Sequence, residues 1–429
     1  MLHEHIHHIG GYKGAVLGIS WAIYGIKTYV DLRQLRRLQD PKVTLPVSIK
    51  GHISDDEYTK YQAYGKDRSR FGLVKGLFDQ IVSTVTIVYD VLPKLWAYSG
   101  HVLAVAGLAS AGELAQSVTF TSIALTSSTI LGLGFAYYST FVIEEKHGFN
   151  KQTKALFALD TIKSMVLTVV LSSPVIAAGI RVIEWGGKNF VLYAGAFVLA
   201  TQVTFVILYP TVLSPIFNKF TPIEEGDLKT KIETLAKRVD FPVQSIYVVD
   251  GSKRSSHSNA YVTGLLGVNR IVIYDTLIEQ MNHQEILAVV AHELGHWKNN
   301  HIFRSLLVSQ AQILISFWSF SHFLHFQPLY SAFGFYSQPT VIGFMLFSYL
   351  YEPIDFLSTL SIYRVGRYHE FDADQFAKKL GYGEPLKSGL IKLGKKNLKN
   401  LNPDPVYSAF NIVHPPLAER LAAIGKSNI

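Results

Sequence analysis

The sequence predicts a mainly α, polytopic membrane protein of seven helices, with a small α+β soluble part gathered on one side of the bilayer. Three observations lead there. Of the 429 residues, 48% are apolar and only 17% charged, where soluble domains usually carry about a quarter charged residues. Seven segments approach the ~20 apolar residues that cross a bilayer. Two polar stretches, 218–301 and 361–429, together supply about 150 residues, enough for one soluble core.

The seven segments fall near 10–30, 77–98, 119–143, 164–183, 190–213, 302–326 and 340–360. Asp79, Asp90 and Lys94 in the second point to a face turned toward protein or water rather than lipid. Pro210 and Pro215 interrupt the end of the fifth. The loops alternate in charge. Nine Lys/Arg lie in 31–70, none in 99–118, four in 144–163, Lys188 alone in 184–189 and none in 327–339. Basic loops stay in the cytosol, so the N-terminus is expected on the far side, and both 218–301 and 361–429 on the cytosolic side. The organisation expected is spans one to five with cytosolic loop 31–70 (1–217), a first soluble piece (218–301), spans six and seven (302–360), and a second soluble piece (361–429). The formal net charge of +8 is absorbed by those cytosolic loops and does not call for nucleic acid.

The chain has no cysteine. Disulfides, thiolate metal ligands, a cysteine nucleophile and S-acylation are excluded, which leaves histidine and carboxylates as metal ligands. Lys13 is the only basic residue ahead of the first apolar run, so no cleavable signal peptide is expected. The cluster His3, His5, His7 and His8 reads as a frayed terminus rather than a second metal site. Gly425 to Ile429 carries no KDEL-type signal.

Within 218–301 the expected order is helix, strand, strand, helix. Glu224 to Val239 has helical spacing and ends at Phe241-Pro242. Ser245 to Val249 and Arg270 to Tyr274 are β-branched runs on either side of a polar, glycine-containing stretch. His283 to Trp297 is the last helix, with Ile286, Leu287, Val289 and Val290 on its buried side.

That helix carries His292-Glu293-Leu294-Gly295-His296. Four residues apart, the two histidines share a helix face and reach one ion, and Glu293 stands beside the first. Zinc hydrolases need this division of labour: neutral nitrogens fix the metal, one position stays open to water, and a carboxylate takes a proton. The α+β part is therefore expected to be a zinc metalloprotease domain. A third ligand must come from elsewhere. His301 lies five residues past His296, roughly 140° around the helix, so it is expected to point away as an interfacial histidine. The tail offers Tyr368-His369-Glu370-Phe371-Asp372-Ala373-Asp374, whose Glu370 and Asp374 share a face. One carboxylate on the metal and one a turn later on a ligand histidine is the usual arrangement. His369 and Asp372 fall on other faces and are expected to be structural. Glu352, before Pro353 in the seventh span, is the competing ligand.

Further motifs extend this pattern along the chain: Ser139-Thr140-Phe141-Val142-Ile143-Glu144-Glu145-Lys146-His147-Gly148-Phe149-Asn150, then Phe217 to Pro222, then Gly251 to Tyr261, then the stretch 370–382, and finally His414-Pro415-Pro416-Leu417-Ala418-Glu419-Arg420-Leu421. In this order, from about residue 20 to 425, the chain resembles the type I CAAX prenyl proteases, integral-membrane zinc endopeptidases of the endoplasmic reticulum and nuclear envelope. It departs from them at Gly366-Arg367-Tyr368, where the family usually has Ser-Arg-basic. The resemblance implies seven helices enclosing an intramembrane chamber. It implies one Zn²⁺, and a prenylated CaaX protein as substrate, cut after the modified cysteine to release the last three residues. Some members also cut upstream. The resemblance supports Glu370 as third ligand and assigns substrate contacts to Asn259 and His414, residues that otherwise read as a turn asparagine and a loop histidine. It leaves open whether Asp374 orients a ligand or gives a proton to the leaving amine.

Three functions are compatible with these residues. The first is a prenyl-protein endopeptidase with Glu293 as general base. The second is a membrane quality-control metalloprotease of the same fold, and the third a polytopic scaffold in which HExxH is incidental. Intact Glu293, Glu370 and Asp374 speak against the scaffold.

Overall fold

A computed structural model of the chain describes residues 11–265 and 267–426. The histidine-rich start, His3 to His8, and the final residues 427–429 lie outside the described residues. The protein is mainly helical. Helix α1 (Tyr12–Gln39) packs along α2 (Asp55–Val88). Ser54 starts α2 through a capping box: its hydroxyl accepts the Glu57 N–H at 3.2 Å, and the Glu57 carboxylate accepts the Ser54 N–H at 2.9 Å. Asp55 and Asp56 add negative charge where the helix dipole favours it.

The span expected at 77–98 is not one helix. Asp90 adopts the left-handed conformation (φ 52°), ends α2 and starts α3 (Val91–Val105), and its carboxylate pairs with the buried Lys13. Aspartate tolerates this backbone region, and a hydropathy window does not register a one-residue reversal. The loop expected over 31–70 is likewise largely helix. Only 40–54 separates α1 from α2, and its Leu45, Ile49 and Ile53 are buried in the core of the soluble part.

Helix α4 (Gly112–Tyr138) continues into a π-helical turn at Ser139–Glu144. Helices α5 (Lys154–Gly186) and α6 (Phe190–Leu208) pack on each other across a reversal at Gly187, where φ is 49°. A second π-helical turn, Tyr209–Leu213, follows α6. Among the described residues four helical runs, 55–88, 109–144, 154–217 and 340–396, are long and apolar enough to cross a membrane. No more than 22% of any such apolar window is buried inside the protein. Apolar surface of that extent needs a surrounding other than water. The chain is a multi-pass membrane protein.

The soluble part begins with β1 (Phe220–Pro222) and α7 (Asp227–Arg238), followed by β2 (Ser245–Val249), β3 (Ala260–Leu265), β4 (Val268–Tyr274) and α8 (His283–Lys298). The sheet order is β1-β2-β4-β3, with β2 parallel to β4 and the outer pairs antiparallel. Strand β3 is an edge. The expected helix–strand–strand–helix is present with β1 and β3 added. β1 has three residues, one of them proline, and β3 contains Gly264, so neither shows the alternation that marks a strand in sequence.

The chain then forms α9 (His301–Ser321), α10 (Thr340–Ala377), α11 (Gly383–Lys396) and α12 (Leu417–Gly425). Helix α10 passes from the apolar stretch into the soluble part as one continuous helix. One core joins Ile232, Ile271, Ile286 and Leu294 to Leu386, Leu390 and Leu421, so 218–301 and 361–429 fold as a unit. A second cluster, including Val16, Ile87, Phe120, Leu329 and Phe333, closes the opposite end of α1 and α2.

Candidate active site

Helix α8 starts at a second capping box, between Asn282 and Glu285. Ile286, Leu287, Val290 and Leu294 bury its back, which turns His292, Glu293 and His296 forward. Gly295 sets the approach of α10. A Cβ at that position would stand 3.1 Å from the Ala373 Cα and 3.1 Å from the Phe376 ring. Without one, α10 closes on α8 and carries Glu370 opposite the histidines.

The donor atoms converge. His292 Nε2 and His296 Nε2 are 3.2 Å apart, and the Glu370 carboxylate lies 3.6 Å from the first and 3.4 Å from the second. One ligand atom from each of the three lies within 4.8 Å of the others. The hydrogen bonds behind them set the tautomers. Asp374 Oδ1 accepts from His292 Nδ1–H at 2.9 Å. His301 Nε2–H donates to Asp372 Oδ2 at 3.0 Å, which leaves His301 Nδ1 to accept from His296 Nδ1–H at 3.0 Å. Both Nε2 atoms are then bare lone pairs facing each other, an arrangement that needs a cation between them. Glu370 Oε2 is buried and makes no hydrogen bond. Two imidazoles with converging Nε2 atoms and a carboxylate whose buried Oε2 makes no hydrogen bond fit a divalent transition-metal ion.

The electrostatics agree with this division of roles. Burial pushes the Glu370 carboxyl up, but His296, His414, His292 and Arg420 outweigh it and hold it far below the usual carboxylate range. Asp374 is also held low: burial raises it, and Arg420 and His292 more than compensate. Glu293 goes the other way, raised chiefly by burial.

His301 does not point away. Asn300 takes the left-handed conformation (φ 55°) and breaks the chain between α8 and α9, so the rotation counted from His296 does not carry across. His301 is buried and held near a pKa of about 4 mainly by burial. His369, expected to be structural, stacks on it with ring centroids 4.1 Å apart. Arg420, singled out only as part of a motif, was missed as a site residue. It grips Asp374 through Nε (2.8 Å) and Nη2 (2.6 Å), and its Nη1 is 3.3 Å from Glu370. Nothing in its local sequence distinguishes it from a surface arginine.

Glu352 lies elsewhere, lining a polar cavity with Lys27, Asp31 and Asp79. His414 is largely exposed, with Nδ1 3.0 Å from Glu370 Oε1. Asn259 is exposed at the start of edge strand β3, and its carbonyl accepts from Tyr274 N–H at 3.1 Å. The motif at 139–150 meets the motif at 251–261 just before it. His257 stacks on Phe149 at 4.2 Å and contacts Glu144 at 3.3 Å, while the Asn397 side chain binds both the N–H and the carbonyl of Ser258. Gly264, further along, sits where a Cβ would strike Trp297 of α8, so the strand is held close to the motif helix.

An HExxH helix completed by a glutamate from a second helix, on a membrane-spanning scaffold, defines a membrane-embedded metallopeptidase. Residues 34–219 match the family described as CAAX prenyl protease N-terminal, five membrane helices, and residues 222–428 match Peptidase family M48. The chain is 43% identical to a CAAX prenyl protease 1 homolog of Arabidopsis thaliana, covering 95% of this chain and 96% of the relative. It is 38% identical to the Homo sapiens homolog (96% and 94% covered) and 37% identical to CAAX prenyl protease 1 of Saccharomyces cerevisiae (96% and 95% covered). The crystal structure of S. mikatae Ste24p superposes with a TM-score of 0.91 at 36% identity, over 97% of this chain and 99% of that one. This chain belongs to the CAAX prenyl protease family of M48 metallopeptidases.

Proposed function

We propose that the protein is a zinc endopeptidase that removes the C-terminal aaX tripeptide from prenylated CaaX proteins, with a second upstream cut in some substrates. The observation that carries this reading is the convergence of His292, His296 and Glu370 beside Glu293, on a chain whose close relatives are named for this activity. When bound, zinc would supply a Lewis acid at the scissile carbonyl. Glu293 takes a proton from the attacking water, a role that its burial-raised pKa favours, and passes that proton on to the leaving nitrogen. Asp374 has both oxygens engaged by His292 and Arg420, which favours an orienting role over proton donation. His414, at the mouth beside Glu370, is suited to donate to the developing oxyanion. Edge strand β3 offers backbone groups to an extended peptide, with Asn259 at its entrance.

The same reading holds seven spans around an intramembrane chamber, in the endoplasmic reticulum or inner nuclear membrane. The N-terminus is lumenal and the soluble pieces 218–301 and 361–429 are cytosolic. Two packing facts support that orientation. Segment 40–54, part of the Lys/Arg-rich stretch 31–70, is buried in the core of the soluble part and the motif at 139–150 packs on His257 just before β3, whereas Phe120, Leu329 and Phe333, from or beside the loops without Lys or Arg, cluster at the opposite end. The test is mass analysis of a synthetic farnesylated CaaX peptide incubated with purified protein. Chelator-sensitive loss of three residues is expected. Equal cutting of an unprenylated peptide would favour the quality-control protease instead.

A further inference from the structure

Two cavities meet at the end of α6. The first, of 690 Å³, runs beside edge strand β3, with Asn259, Tyr261 and Thr263 on one wall and Gln202, Phe205 and Tyr209 on the other. The second, of 740 Å³, lies between α5 and the continuation of α6, and its surface is mainly apolar: Leu167, Leu171 and Val175 on one side, Leu213 and Phe217 on the other. Both volumes are of a size that takes a small ligand. Phe205 and Tyr209 line both cavities.

The junction has an irregular backbone. The π-helical turn Tyr209–Leu213, with Pro210 inside it, departs from the α-helical ladder where the cavities touch, and such turns recur at functional sites. The groove also has distinct ends. Toward the soluble part it is closed by polar groups, since Arg254 is paired with Asp160 at 2.9 and 3.0 Å and bonded to Asn218 at 3.0 Å. Away from that end, Leu171 and Val175 extend the apolar wall along α5 into its membrane-length portion.

We infer that the groove between α5 and α6 receives the isoprenoid chain of the substrate. The inference rests on the reading of the protein as a prenyl-protein endopeptidase. A modified cysteine beside the scissile bond carries its thioether-linked chain sideways out of the peptide cleft, so the lipid site must share a wall with that cleft. This groove does, through Phe205 and Tyr209. The other strongly apolar groove, of 660 Å³ between α2 and α4, is lined by Phe71, Val74 and Phe135 and shares no residue with the peptide cleft. Burying an isoprenoid chain at ~0.8 kcal/mol per CH₂-sized unit would hold an otherwise weakly bound short peptide.

The test uses the full-length protein loaded with zinc and a farnesylated CaaX peptide whose terminal isoprene unit carries a benzophenone. After photolysis, labelled residues are mapped by mass spectrometry, with unlabelled farnesylated peptide as competitor. Competable labelling within 164–175 and 205–217 is expected. Labelling confined to 71–78 and 131–142, or labelling that the competitor does not reduce, overturns the assignment. Parallel cleavage of the unlabelled peptide separates the two levels. Cleavage with labels elsewhere refutes the groove alone, and absence of cleavage refutes the enzymatic reading and the groove with it. In a second arm, Leu171→Arg should raise KM for the farnesylated peptide about tenfold or more with zinc content unchanged. An unchanged KM in that variant contradicts the assignment.

Discussion

His301 Nδ1 lies 3.0 Å from His296 Nδ1, and Asp372 holds the far nitrogen of the same ring at 3.0 Å. A buried histidine thus fixes which nitrogen of a metal-site histidine carries its proton. Replacing His301 with Ala should weaken metal binding about 10–100-fold, measured by chelator competition. Asp372→Asn should act more mildly, because the amide oxygen still accepts the ring N–H. Unchanged affinity in His301→Ala, with only a lowered melting temperature, would reduce the contact to packing.

Glu293→Gln should retain the metal and lose turnover by about 100- to 10,000-fold. The amide occupies the same space and bonds to water but cannot accept its proton. Substantial residual activity in a metal-replete sample of this variant would remove Glu293 from the mechanism.

Asp374→Asn should lower activity about 10–100-fold through the orientation of His292, and excess zinc should restore part of it. A proton-donor role predicts no restoration. The charge also matters to stability. Asp374 is titrated below its ordinary range in the folded metal-free protein, so its contribution is full at neutral pH and is lost as pH falls below about 4. Arg420→Met leaves that carboxylate buried without its partner and should destabilise the soluble part by ~3–5 kcal/mol, read as a lower melting temperature in detergent.

Asn259→Ala and His414→Ala should impair peptide cleavage at unchanged metal content, because both residues stand where the peptide would lie. Loss of metal in His414→Ala would instead make its 3.0 Å contact with Glu370 a support of the metal site.

The legible part of this protein follows how far its signals reach along the chain. His292, Glu293 and His296 are readable because one helical turn fixes their geometry, and Glu370 and Asp374 share a face for the same reason. The relation of Asp374 to Arg420 is not readable. The two are 46 residues apart and meet only because α12 packs on α10. His301 was misplaced because periodicity stops at Asn300, where a single left-handed residue resets the helix. The second span failed in the same way at Asp90. Strand β3 was hidden because Gly264, which lets the strand lie against Trp297, breaks the alternation that marks a strand, and an open edge leaves no mark in the sequence.

The central claim is that His292, His296 and Glu370, and not Glu352, hold one zinc per chain. Metal content by mass spectrometry, measured on purified wild-type, Glu370→Gln and Glu352→Gln proteins after dialysis, tests it most directly. One zinc is expected in wild type and in Glu352→Gln, and little or none in Glu370→Gln. Full zinc occupancy in Glu370→Gln, or its loss in Glu352→Gln, would contradict it.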